Sequence, residues 1–224
     1  MASLAEDGTL RHLKHMQRSG GGPHPDQTGP HAHCCLADPD EKILYVCDLG
    51  TDEIARYELP DMKELCSIRL SAGSGPRHAL FSRNMEFLYV ACELSNEVIT
   101  IRLSDGTLLQ KYSHNPDSGR FKALSSIRLS QDGANLVVGC RGEDGVLFFA
   151  VDNAGLLTEP VFLETGRSFP WDVAPISAKG DWLLAAFEKS DCLQALYRTP
   201  KKLEVAAEYQ LPHPTCILAV EELH

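Results

Sequence analysis

The chain has no apolar stretch that approaches the ~18 residues needed to span a membrane. Its N-terminal segment, from Met1 to Gly8, turns acidic before any apolar run of signal-peptide length appears. We therefore expect a protein with neither a membrane segment nor a secretory leader, located in the cytoplasm.

Positive charge is also scarce. The chain has 21 Lys and Arg residues against 31 Asp and Glu residues, which gives a formal net charge of −10. Nucleic acids and anionic membranes require a positive face on their partner, so neither is expected to bind this protein. An anionic small molecule would have to meet a local group of Arg side chains.

The 8 cysteines contain no C-x-x-C pair, and the adjacent Cys34 and Cys35 make a poor zinc half-site. Cys47, Cys92 and Cys140 each follow a similar apolar segment. We expect the cysteines to be mostly small buried thiols in a reducing compartment, and we expect no cofactor and no bound metal.

Short catalytic signatures are missing too. The sequence has no G-x-S-x-G elbow, no P-loop, no H-E-x-x-H motif and no EF-hand spacing. No segment of ten or more residues carries a helical apolar period. The chain is therefore expected to be all-β, with any chemistry assembled from distant residues.

The sequence does contain a repeat. Similar apolar segments surround Tyr45, Tyr89, Val137 and Leu183, and these positions are 44, 48 and 46 residues apart. A period in the forties built from short strands is typical of β-propeller blades, in which each unit buries its faces against its neighbours. We predict a single β-propeller domain of four-stranded blades.

The repeat also sets provisional blade boundaries. Four full repeats span about 29–74, 75–121, 122–167 and 168–211, and partial repeats span 1–28 and 212–224. The partial repeats offer one strand each, near 9–16 and 215–220. About five blades' worth is present, either as a small closed propeller or as part of a longer one.

Several polar residues interrupt the apolar pattern at one register. Strand ends at equivalent positions of neighbouring blades converge on one end of the central channel, and side chains two residues apart on a strand share a face. Each residue type alone is more often structural. Their recurrence predicts one shared pocket, formed by His31, His33, Arg77, His78, Glu93 and Arg141, with Asp48 at the corresponding place in the first repeat.

The motifs around these residues resemble those of the seven-bladed propeller lactonase family. That family contains bacterial-type 6-phosphogluconolactonase and the fungal carboxymuconate cyclase, and the resemblance runs from about Gly8 to Val220 in collinear order. The motifs that carry it are Pro30-His31-Ala32-His33, Tyr45 to Asp52, Gly75 to Phe81, Tyr89 to Leu94, and Gln131 to Gly142.

The resemblance implies hydrolysis of a lactone on an acidic sugar or dicarboxylic acid, or the reverse ring closure. It implies His31 or His33 as the base, Arg77 as a donor to the oxyanion or carboxylate, and Arg141 as an anion clamp. Glu93 would be an orienting or proton-shuttling acid. We also expect His78 and Asp48 to contact substrate, with orientation of a histidine as the alternative role for Asp48. Together these residue types suit activated water, a developing oxyanion and an anionic group.

The chain departs from the family pattern in three ways. It lacks about two of the first blades, it reads Asp26-Gln27 where the family typically has Arg-Gln, and it has Trp171 after the proline where the family generally has Arg. Three alternatives stay open: a lactonising enzyme of the carboxymuconate cyclase kind, a non-catalytic propeller that acts as a binding module, and a metal held by His31 and His33 with Asp48 or Glu93.

Overall fold

The described residues of the computed structural model are 2–12, 14–114 and 122–218. They form eighteen strands and one 3-10 turn, Glu188–Ser190. Two short strands, β1 (Ala2–Leu4) and β2 (Leu10–His12), pair with each other, and the other sixteen form four antiparallel sheets. Within the described ranges no helix is long and apolar enough to cross a membrane.

Each large sheet is a meander whose strand order follows the sequence. The first blade contains β3 (Ala32–Ala37), β4 (Ile43–Asp48), β5 (Glu53–Glu58) and β6 (Lys63–Arg69). The second contains β7 (Pro76–Phe81), β8 (Phe87–Cys92), β9 (Glu97–Arg102) and β10 (Leu108–Ser113). The third contains β11 (Ala123–Leu129), β12 (Asn135–Arg141), β13 (Gly145–Ala150) and β14 (Val161–Glu164), and the fourth contains β15 (Pro170–Pro175), β16 (Trp182–Phe187), β17 (Cys192–Arg198) and β18 (Leu203–Gln210).

The first strands of neighbouring blades contact each other, β3 with β7, β7 with β11 and β11 with β15. These four strands therefore form the inner wall, and the later strands of each blade lie outward. The predicted all-β propeller of four-stranded blades is confirmed.

The core lies between blades, and strand alternation builds it. Every residue of β8 is buried. Leu88 and Val90 pack with Tyr45 and Ile54 of the first blade, whereas Tyr89, on the opposite face, packs into the third blade. Successive side chains point to opposite faces, so a strand flanked by two blades must be apolar throughout. This explains the continuous apolar runs that mark the repeat.

In each blade, the residue directly before the third strand has a left-handed backbone conformation. Asp52, Asn96, Asp144 and Asp191 have φ angles of 58°, 58°, 58° and 49°. Asp and Asn tolerate this conformation better than other residues with a side chain. Their presence at one register of all four blades is a repeat signal as regular as the apolar segments.

The chain ends of the described region differ in part from expectation. Leu10–His12 is a strand, but 215–218 is not, and residues 219–220 of the expected last strand lie outside the described residues. The segment still packs along β15, because Ile217 N donates to Asp172 Oδ2 at 2.9 Å and its side chain is buried beside Ala174.

The expectation of mostly buried thiols holds for half of the cysteines, all 8 of which are described. Cys47, Cys92, Cys140 and Cys192 are buried in the blade interfaces, Cys34 is half-buried, and Cys35, Cys66 and Cys216 are exposed. The expectation of burial was wrong for the half-buried Cys34 and the three exposed cysteines. These four residues lie on inner-wall, outer-strand or terminal segments that are packed on one side only.

Replacement of an interface residue should cost far more stability than replacement of an outer one. We expect Leu88→Ala, which empties a fully buried site between two blades, to lower the free energy of unfolding by about 2–5 kcal/mol. Leu108→Ala is the matched control, because that side chain is 43% exposed, and its cost should stay below about 1 kcal/mol. Equal losses for the two variants in urea titrations would contradict the blade-interface core.

Candidate active site

Three charged residues meet at one edge of the inner wall. Arg77 is the second residue of β7, Glu93 directly follows β8, and Arg141 ends β12. Glu93 Oε2 lies 2.8 Å from Arg77 Nε and 2.6 Å from Arg141 Nη2, so one carboxylate oxygen serves two guanidinium groups. Because β7 and β8 are antiparallel, the end of one strand meets the start of the other, as the shared register predicted.

This cluster has an excess of positive charge and of hydrogen-bond donors. Arg77 and Arg141 are only 4% and 5% exposed, and burial followed by the charge of Arg141 lowers the pKa of Arg77 to about 10. The Nε–H groups of both residues are buried and make no hydrogen bond of acceptable geometry, although the Arg77 Nε atom is close to Glu93. Two cations with one anion, together with a buried Arg141 Nε–H that makes no hydrogen bond, favour an anionic or carbonyl oxygen as a ligand.

Trp171 in β15 stacks on both arginines. The centre of its ring is 4.8 Å from Arg141 Cζ and 5.6 Å from Arg77 Cζ. Phe169 supports Arg141 from 5.6 Å, and Lys189 Nζ lies 3.7 Å from the centre of the Phe169 ring. An aromatic face attracts such cations and limits their motion. The position where the family generally has a cation is therefore filled by an aromatic ring.

The arginine cluster adjoins a cavity of about 250 Å³. Of the residues that the sequence groups into one pocket, His33, Arg77 and His78 line it, whereas His31, Asp48, Glu93 and Arg141 do not. The full lining comprises His33, Cys34, Arg77, His78, Ser126, Arg128, Trp171, Asp172, Thr215 and Cys216.

Of the two predicted candidate bases, His33 is the one that borders the cavity. The rings of His31 and His33 are 5.7 Å apart, so the two side chains share one side of the strand. Partial removal of water by the cavity wall, and then the charge of Arg77, lower the pKa of His33 to about 4, while Glu93 acts in the opposite direction. His33 is therefore a neutral imidazole near pH 7 and can accept a proton.

The structure places Asp48 outside the cavity, which corrects its assignment as a substrate contact. Its carboxylate is fully buried and pairs with Arg18 Nε at 2.8 Å. It also accepts hydrogen bonds from the backbone N–H groups of His31, at 2.8 Å, and Gly50, at 3.2 Å. Asp48 therefore fixes the backbone that enters β3 and positions His31 rather than a ligand.

His78 is held between blades. Its Nδ1 accepts a hydrogen bond from Ile127 N at 3.2 Å, which joins β7 to β11. The imidazole also lines the cavity, so it has both a structural contact and an accessible edge.

The opposite wall holds an ion pair that the sequence reasoning did not find. Arg128 Nη2 lies 2.8 Å from Asp172 Oδ2, and Asp172 is 3% exposed. The available signal was a charged residue inside each of the apolar inner strands β11 and β15. No group of three or more His, Cys, Asp or Glu side chains in the described ranges could hold a metal ion, so Asp48 and Glu93 do not complete a metal site with the two histidines.

The left-handed turn residues fix the backbone just before several cavity residues. Asp52 accepts from Gly75 N at 2.8 Å, two residues before Arg77. Asp144 accepts from Phe169 N at 2.7 Å, and Asp191 accepts from His213 N at 3.0 Å. Those residues stand two positions before Trp171 and Thr215. The first, third and fourth blades thus each anchor the start of the segment that follows them.

Comparison with known proteins assigns the family. The model of the family described as "Lactonase, 7-bladed beta-propeller" matches residues 1–219. The chain belongs to this family. A 6-phosphogluconolactonase of Bacillus subtilis is 28% identical over 237 residues, which cover 96% of this chain and 64% of that protein. An uncharacterized protein of Staphylococcus saprophyticus is 33% identical over 187 residues, which cover 80% of this chain and 54% of that protein.

Solved structures agree with this membership of the lactonase family. A Lactobacillus plantarum protein superposes with a TM-score of 0.87 at 30% identity, covering 96% of this chain and 66% of that one. The periplasmic gluconolactonase of Pseudomonas aeruginosa gives 0.86 at 27% identity, covering 96% and 64%. The chain thus spans from about half to two thirds of the length of these relatives. Since one of them is periplasmic, the cytoplasmic location expected from the sequence stays a prediction.

The opposing effects of Arg77 and Glu93 on His33 can be tested by NMR titration. We expect Arg77→Met to raise the pKa of His33 above about 4, because a repelling cation is removed, and Glu93→Gln to lower it further. The pKa of His33 in the folded protein lies below its ordinary value. The contribution of this group to the stability of the folded protein is therefore fully present above pH ~6.5 and is lost as the pH falls toward 4.

The His33→Gln variant lacks this imidazole and therefore identifies the His33 resonance in the NMR spectra. Shifts of the same sign in the two variants would contradict the arrangement.

Proposed function

We propose that this chain carries the catalytic face of a lactone hydrolase whose substrate is the lactone of an acidic sugar, such as a 6-phosphoaldonolactone. The observation that supports this most directly is the pair of buried arginines that share one oxygen of Glu93, with Arg77 and His33 lining the same cavity. The lactonase relatives named above support the same reaction class.

In the proposed reaction, water attacks the lactone carbonyl carbon. His33 Nδ1 or Nε2 accepts the proton, the carbonyl oxygen becomes an oxyanion next to Arg77, and the bond from the carbonyl carbon to the ring oxygen then breaks. The imidazolium returns its proton to the ring oxygen, which leaves as a hydroxyl group. The carboxylic acid that forms releases its remaining proton to solvent, so the products are the hydroxyl and carboxylate groups of the open aldonate and one proton.

Electrostatics link ligand binding to the base. The charge of Arg77 is one cause of the low pKa of His33. An anion bound to Arg77 or Arg141 would offset that charge and raise the pKa of His33, which would make the imidazole a stronger base when substrate is present. Glu93 would keep both guanidinium groups in position and limit their mutual repulsion.

Loss of the oxyanion donor should reduce turnover strongly. We expect Arg77→Ala to lower kcat/KM for 6-phosphogluconolactone by about 10²–10³-fold, the range for removing one such donor. Arg69→Ala is the control, because its side chain is 82% exposed and lies on an outer strand. Hydrolysis is followed by acid release and corrected for the spontaneous rate. A well-folded wild-type protein with no rate above buffer would overturn the proposal.

Binding without turnover is the second candidate, and Trp171 is the observation that favours it. Its ring lies 5.6 Å from Arg77 Cζ and 4.8 Å from Arg141 Cζ, where the family generally has a cation. A protein with this role would bind an acidic lactone or its open acid in calorimetry and leave the lactone intact.

Restoring a cation at this position should favour anionic substrates. We expect Trp171→Arg to lower the KM for the phosphorylated lactone roughly tenfold, since a hydrogen bond to a charged group contributes about 1.5 kcal/mol or more. The unphosphorylated gluconolactone should show little change. Trp171→Ala, which removes the ring without adding charge, is the control, and an equal gain in this variant would mean that the ring only obstructs the site.

A further inference from the structure

The cavity wall contains a thiol that the proposed hydrolysis does not use. Cys34 follows His33 in β3, is half-buried and lines the cavity. Cys35, its neighbour in sequence, points away and is exposed. The strand is irregular between Ala32 and Cys34, so His33 and Cys34 both line the cavity although they are adjacent, whereas Cys35 does not.

Cys34 has a second thiol directly opposite on the neighbouring strand. Cys34 and Cys47 are register partners in the antiparallel pair β3–β4. Directly opposed residues have Cα atoms about 4.5–5.5 Å apart, which lies within the range of about 4.4–6.8 Å that disulfides span. The two thiols are also close enough for each to shift the pKa of the other. Cys47 is completely buried, so reagents can reach the pair only through Cys34.

His78 completes the surroundings of Cys34. Because His78 Nδ1 accepts from Ile127 N, the neutral ring carries its proton on Nε2, the nitrogen left to contact Cys34. The backbone N–H of Ala79 also faces the sulfur. Hydrogen bonds from Cys47 and then from His78 lower the pKa of the Cys34 thiol, whereas the pKa of Cys47 is raised by its contact with Cys34 and by burial.

We propose that Cys34 is a reactive thiolate in the cavity wall and forms, with Cys47 as resolving thiol, a dithiol pair that hydroperoxides oxidise. The inference does not depend on lactone hydrolysis. It is based on the register of the two cysteines, the cavity that exposes only one of them, and the donors that surround the exposed sulfur.

The oxidation balances in two steps. Cys34 Sγ attacks one oxygen of the hydroperoxide, an S–O bond forms, the O–O bond breaks, and hydroxide or alkoxide leaves and takes up a proton. Sulfur is oxidised by two electrons and the peroxide is reduced. Cys47 Sγ then attacks Cys34 Sγ, an S–S bond forms, the S–O bond breaks, and water leaves with the proton of Cys47.

Alkylation kinetics test the reactivity of Cys34. Reduced Cys35→Ser protein, which keeps a single cysteine in this peptide, is treated with iodoacetamide at pH 6 and mapped by mass spectrometry. We expect Cys34 to react about tenfold faster than the exposed Cys66, because the larger thiolate fraction outweighs its lower intrinsic nucleophilicity. A rate equal to or below that of Cys66 would overturn the proposal.

A variant of His78 separates activation from folding. His78→Asn keeps an acceptor near the Nδ1 position for Ile127 N but has no group at Nε2. We expect it to slow alkylation of Cys34 to the rate of Cys66 while the melting temperature stays close to that of the parent. An unchanged rate in a folded variant would contradict the role of His78.

Peroxide treatment tests the pair itself. Hydrogen peroxide should yield a peptide in which Cys34 is joined to Cys47, and in Cys47→Ser protein it should instead leave a sulfenic acid on Cys34 that dimedone traps. A Cys34–Cys216 disulfide, or no oxidation of Cys34 before Cys66, would refute the assignment of Cys47 as the resolving thiol.

Discussion

A four-stranded sheet with apolar side chains on both faces cannot be stable alone in water, and this constraint organises the whole chain. Leu88 and Val90 need the first blade, while Tyr89 on the same strand needs the third. Blades must therefore stack face to face, and stacking sets their inner strands side by side. The ends of those strands then come together at one edge. The polar residues that interrupt the apolar pattern are grouped as a consequence of burial elsewhere, because β7, β8 and β12 have no other way to pack.

The grouping concentrates charge that is costly to bury. Two guanidinium groups with almost no solvent exposure have one shared carboxylate between them, together with the ring of Trp171. Desolvation disfavours such an arrangement unless each charge has partners. Glu93 supplies only part of that compensation. The cluster of Arg77, Arg141 and Glu93 thus carries an excess positive charge, in a protein whose overall charge is −10.

The sequence was sufficient to predict the propeller, because burial on both faces leaves a continuous apolar run at each repeat. It also predicted that Arg77, Glu93 and Arg141 would meet, since this depends only on strand order and register. It did not predict that Arg18 would form an ion pair with Asp48, because that contact depends on the path of a loop 30 residues away in the sequence. The Arg128–Asp172 pair and the ring of Trp171 over two arginines depend on the separation of blades, which no periodicity encodes. Burial of the cysteines was predictable for the middle strands alone, where both faces are covered.

The left-handed turn residues of the blades have a consequence for how the channel can change. Asp52, Asp144 and Asp191 each hold the backbone two residues before a cavity position, so the path of the chain between blades does not determine where Arg77, Trp171 or Thr215 lies. Connections between blades can therefore lengthen or shorten while the channel wall keeps its shape. The backbone at each of these three wall positions is anchored by a different turn, whereas the side chains still contact one another across blades. The length of the connections between blades can thus vary without a change in the backbone of the channel wall.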